Sequence, residues 1–77
     1  MTNIDKLNQL NQLDITKITE IKMTSIGLLD VFGKLCIEIQ IDNNNVEIEF
    51  LSPVPKQEIL KWLEENNLLD KATLIQF

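Results

Sequence analysis

With 77 residues, one cysteine, no histidine and no arginine, the chain has no means of forming an internal disulfide, a His/Cys zinc site or a Ser-His or Cys-His nucleophile pair. Seven lysines face twelve carboxylates for a net charge of −5, which argues against direct nucleic-acid binding, where phosphates are neutralised by Lys and Arg. No apolar run approaches the ~18 residues of a membrane span, so stability must come from the eleven Ile and twelve Leu, packed in a small core or against another chain.

Residues 1–77 read as a single small α+β domain, with residues 1–14 either a short helix or a mobile N-terminal segment. Ile4, Leu7, Leu10 and Leu13 recur every three residues. A three-residue step slips about 60° per repeat on an α-helix, so these side chains sweep half its circumference. Thr2 with Asp5 has capping-box spacing and predicts a helix from Asn3. The Met1–Lys6 segment has neither the basic nor the apolar region of a secretory leader. Together with the lone thiol, that predicts a cytoplasmic protein.

Thr, Ile and Lys dominate the next stretch and predict an extended strand from Thr16 to Leu29, kinked or bulged at Gly27. A helix over Ser25–Phe32 is the competing reading, and Gly33-Lys34 reads as a turn. Leu35 to Leu51 then alternates as a hairpin. Leu35, Ile37, Ile39 and Ile41 are separated by Cys36, Glu38 and Gln40, Asn43-Asn44-Asn45 turns the chain, and Val46, Ile48 and Phe50 alternate with Glu47 and Glu49. Period-2 patterning places the aliphatics on one face and the carboxylates on the other.

Pro53 and Pro55 cannot continue a ladder, and Pro55 suits a helix start. Ile59, Leu60, Trp62 and Leu63 fall on one arc of a helix that stops at Asn66-Asn67. After Leu68–Lys71, Ala72–Phe77 reads as a final strand. If that strand joins the hairpin's sheet, a right-handed crossover makes it parallel. The predicted architecture is a small, mostly antiparallel sheet, made of a three-strand meander plus a C-terminal strand. One amphipathic helix packs on it beside the short N-terminal one.

Little in this chain carries catalytic chemistry. Gly27 and Gly33 match no phosphate-binding loop. Glu38, Glu47 and Glu49 share a hairpin face whose default reading is solvated carboxylate, and no metal or other cofactor is expected. Cys36 has no nearby His or Arg to lower its pKa and reads as a half-buried structural thiol. Trp62 reads as a core anchor, or as an interface anchor if it lies at the edge of its arc.

Residues Ile18 to Asp30, with Met23-Thr24-Ser25-Ile26 at their centre, resemble the segment around the phosphopantetheine serine of acyl and peptidyl carrier proteins. In that family a Gly-x-Asp-Ser-Leu/Ile motif opens a helix. Small size, acidity and a closing helix (Glu58 to Glu65) are also similar. The resemblance implies a helical fold with the prosthetic arm on Ser25, although Lys22 stands in place of the family's glycine and Thr24 in place of its aspartate.

The leading expectation is a non-enzymatic interaction protein, meaning a regulator, inhibitor or accessory subunit. It would act through the acidic face (Glu38, Glu47, Glu49), a sheet edge or Trp62, on a protein partner with a basic surface or on a second copy of itself. A carrier modified at Ser25 and an acidic mimic of nucleic acid are the alternatives.

Overall fold

The computed structural model describes residues 2–76. Helix α1 (Asn3–Asn11) and a 3-10 turn (Ile15–Lys17) lead into strands β1 (Ile18–Leu28), β2 (Phe32–Ile41) and β3 (Asn44–Leu51). Helix α2 (Lys56–Glu65), a second 3-10 turn (Leu69–Lys71) and strand β4 (Ala72–Gln76) follow. The strands form one sheet in the order β3-β2-β1-β4. β2 pairs antiparallel with β1 and with β3, and β4 lies parallel to β1. The predicted α+β meander with a parallel C-terminal strand is therefore present, and β4 joins it beside β1 rather than beside the hairpin.

Alternation explains why one face of this sheet is covered and the other is not. Ile21, Leu35, Ile37, Ile39, Ile48 and Phe50 point to the same side, where they meet Leu10 of α1 and Ile59, Trp62 and Leu63 of α2 in a single core. Ile18 joins that core despite its opposite parity to Ile21, because the register with β2 slips between Ile18 and Glu20. Both helices thus lie on the inner face.

Local chemistry sets each boundary. Thr2 and Asp5 form the expected capping box, and hydrogen bonds from Thr2 hold the Asp5 carboxyl below the usual carboxylate range. Leu10 is buried, Leu7 and Leu13 pack at the core's margin, and Ile4 is exposed, as a three-residue step dictates. The strand predicted from Thr16 starts two residues later, because Asp14 caps the intervening turn by accepting from the Thr16 N–H and hydroxyl. Gly33-Lys34 is not a turn. Gly33 lies in β2 opposite Gly27, and the chain reverses at Leu29–Val31. The hairpin reverses at Asp42-Asn43 instead of Asn43–Asn45, with Asp42 at φ 54°. Helix α2 ends in a Schellman motif: Asn67 is at φ 57°, its N–H donates to the Glu64 carbonyl, and the Leu68 N–H donates to the Leu63 carbonyl at 2.8 Å.

The N-terminal segment is docked. The Asn3 side-chain amide donates to the Leu51 carbonyl at 2.7 Å and the Pro53 carbonyl at 3.1 Å, and its oxygen accepts from the Leu51 N–H at 3.3 Å. One side chain thereby occupies the outermost backbone groups of β3. Asn3→Ala is expected to cost about 1 kcal/mol in urea unfolding and to speed hydrogen exchange at the Leu51 amide. An unchanged Leu51 exchange rate would contradict this role.

Candidate functional site

Among the described residues, no helix covers the outer face of the sheet, and its side chains fall into ordered rows across the strands. Lys22, Glu38 and Glu47 form one row, Thr24, Cys36 and Glu49 the next, and Ile26, Lys34 and Leu51 a third. Leu28 opposite Phe32 closes the face at one end, and Glu20, Gln40 and Asn45 lie at the other. The predicted acidic residues Glu38, Glu47 and Glu49 are thus brought together. Their field is diluted by two lysines that the sequence alone does not place: Lys22 is level with Glu38, and Lys34 Nζ lies 3.7 Å from Glu49 Oε2.

Backbone alternation shows which cross-strand pairs are tight. The Ser52 N–H donates to the Gly33 carbonyl, and Leu51 gives both its backbone groups to Asn3. Even-numbered residues of β3 therefore bond β2, while odd-numbered ones face the edge. Glu38–Glu47 and Cys36–Glu49 are consequently non-hydrogen-bonded pairs, the closer kind. Two like charges in such a pair repel, and Lys22, opposite Glu38 in the same row, offsets part of that repulsion.

The chemistry available is modest. The Cys36 thiol donates to Glu49 Oε2 across 3.6 Å. Burial, this hydrogen bond and the nearby carboxylates push its pKa up, so at neutral pH it holds its proton and lacks thiolate character. Among the described residues, no group of three or more His, Cys, Asp or Glu side chains is placed to hold a metal ion. Nor is any helix long and apolar enough to cross a membrane.

The apolar end of the same face was not foreseen. Phe32 is 83% exposed, and Val31, Leu28, Leu51 and Ile26 are exposed around it. Ile26, Phe32, Lys34 and Leu51 line a shallow groove of ≈ 420 Å³ whose floor is Gly27 and Gly33. The two glycines make it possible, since a Cβ on Gly27 would stand 2.6 Å from the Phe32 carbonyl oxygen. The signal was available in the run Ile26-Gly27-Leu28-Leu29, but reading Gly33-Lys34 as a turn hid the fact that Leu28 and Phe32 share a face.

Trp62 is 5% exposed and belongs to the core, its remaining edge lining a groove between α1 and α2 beside Leu7 and Leu10. Ser25 sits mid-strand in β1 on the inner face, 6% exposed, opposite Leu35. It does not open a helix as the carrier resemblance requires, and Leu35–Leu51 is a hairpin where that family is helical. No family model, no curated protein and no solved structure matches the chain.

Proposed function

We propose that this chain is a non-enzymatic protein-interaction module, a regulator or accessory subunit, that docks a partner on the outer face of its sheet. The observation that supports this most is an uncovered face carrying four exposed large aliphatic or aromatic side chains at one end, with Val31 in the adjoining turn, and three glutamates beside them. Contiguous exposed apolar surface with a polar rim is the usual mark of a docking site. The partner suited to it presents an apolar side chain to the Ile26–Phe32–Leu51 groove and Lys or Arg to Glu38, Glu47 and Glu49, where the close Glu38–Glu47 pair, only partly offset by Lys22, rewards a further cation. The unpaired Cys36 suits a reducing compartment such as the cytoplasm.

Stability and binding should respond with opposite signs at one position. Glu47→Lys relieves the repulsion with Glu38 and is expected to stabilise the fold by about 0.2–1 kcal/mol. It should also reduce capture of a basic partner by roughly tenfold, or 1.4 kcal/mol. Phe32→Ser should leave the melting temperature nearly unchanged and abolish the same capture. The readout is quantitative pull-down from lysate with wild type and both variants, with thermal melts alongside. Partners retained equally by all three proteins would remove the outer face from the function.

A further inference from the structure

The two edges of the sheet differ in how they are guarded. On the β3 edge, Glu47 and Glu49 supply charge, Asn3 occupies the backbone groups of Leu51, and Pro53 follows. These are the ordinary devices by which a monomer prevents edge pairing. On the β4 edge, Ala72-Thr73-Leu74-Ile75-Gln76 contains no charge, no proline and no bulge in its register with β1, and no described element lies beyond it.

The same alternation that orients β3 carries across the sheet. Even residues of β2 bond β1, so odd residues of β1 (Ile21, Met23, Ser25) turn their backbone groups toward β4. Thr73 and Ile75 receive them, which leaves the N–H and C=O of Leu74 facing outward. The Ala72 N–H is already spent on the Leu69 carbonyl, in keeping with this parity. The Leu74 side chain is on the inner face, yet neither helix covers it: it is 52% exposed, and Met23 beside it is only half-buried. Leu60, 48% exposed, lies on the flank of α2 turned away from α1.

We propose that β4 pairs antiparallel with β4 of a second copy of this chain, about a two-fold axis through Leu74, giving one continuous eight-stranded sheet. Two features select a second copy over another partner. The chain carries −5, so two copies approach best where charge is absent, and β4 is the one strand of the four with no ionisable residue. The strand is also self-complementary about its centre, as an isologous contact requires. Leu74 meets its counterpart, with outward N–H and C=O groups that exchange two hydrogen bonds. Thr73 then faces the second copy's Ile75 on the outer face, and Ala72 faces its Gln76 on the inner one. The exposed Leu74 and Leu60 of both copies are brought to one seam. This contact is independent of the outer-face groove, which stays open on both protomers.

Sedimentation equilibrium over a wide concentration range at two salt levels tests it. The wild-type chain should dimerise with little dependence on salt, Leu74→Lys should weaken the dimer ~100-fold or more, and Phe32→Ser should leave it unchanged. Leu74 is half exposed, so its lysine variant should fold, as circular dichroism will show. Register is read separately. In a Cys36→Ser background, Leu74→Cys should be joined to its own copy by a short bis-maleimide. A wild-type chain that stays monomeric to millimolar concentration overturns the proposal. So does a dimer that tolerates Leu74→Lys, one lost on Phe32→Ser, or a Leu74→Cys chain that does not cross-link.

Discussion

Replacing Phe50 by alanine is expected to remove about 3–5 kcal/mol of stability, among the largest losses a single side chain of this core can give. Phe50 is 0% exposed, sits opposite Leu35 and belongs to the core that α1 and α2 close. A 77-residue domain has only ~4–12 kcal/mol in total, so the variant would stand near its unfolding threshold. Its melting temperature should fall by roughly 12–40 °C, as read by calorimetry or by Trp62 fluorescence. Phe32→Ala is the internal control, since that ring is 83% exposed and its loss should move the melt by only a few degrees. Equal effects at the two phenylalanines would mean that the assignment of inner and outer faces is wrong.

The second large effect is expected at Gly33. A Cβ there would fall within van der Waals contact of the Ile26 carbonyl oxygen and 2.9 Å from the Leu28 nitrogen, both backbone atoms of the neighbouring strand. Backbone cannot swing aside as a side chain can, so Gly33→Ala must part β1 from β2 at the hairpin apex. A cost of about 2–3 kcal/mol follows from overpacking of this kind. Gly27→Ala should cost about 1–2 kcal/mol for conformation alone, because φ is +77° there. Amide exchange should quicken at Ile26, Leu28 and Phe32 in both variants, while α2 stays protected. A Gly33→Ala protein that melts like the wild type would show that the two strands do not approach each other as described.

The hairpin was legible because its signal is local. Alternation over Leu35–Leu51 fixes which side chains face inward, whatever surrounds them. The same holds for most of α2, where Asn66-Asn67 mark the stop and Ile59, Trp62 and Leu63 of the predicted arc are buried, while Leu60 at its edge is exposed. The turns were less so. Three consecutive asparagines drew the reversal toward Asn44, yet the left-handed residue is Asp42, a position that Asp and Asn fill about equally well. The pairing of Gly27 with Gly33 depends on the approach of two strands, and nothing in either strand's own pattern announces it. Strand order is of the same kind, since β4 pairs with β1 across a separation of 51 positions, from Ile21 to Ala72.

The candidate site divides along the same line. Glu38, Glu47 and Glu49 could be placed on one face from parity alone. Their closeness, and the intrusion of Lys22 and Lys34, needed the register. The apolar end was lost because Leu28 and Phe32 belong to different strands joined by a turn at Leu29–Val31, three to four residues before Gly33-Lys34. Trp62 turned inward for a reason the helical wheel holds only in part: its arc is apolar, but the presence of α1 beside it decides that the ring is enclosed.

The attachment of Asn3 to Leu51 has a consequence for the order in which the molecule comes into being. The first helix made is fastened to a residue 48 positions downstream, and Lys71 Nζ reaches back to the Ile18 carbonyl across 53. A growing chain that has reached Leu51 already contains every residue of the meander, but the inner face still lacks Ile59, Trp62 and Leu63. During synthesis, the aliphatic side of the sheet therefore stays open until α2 emerges.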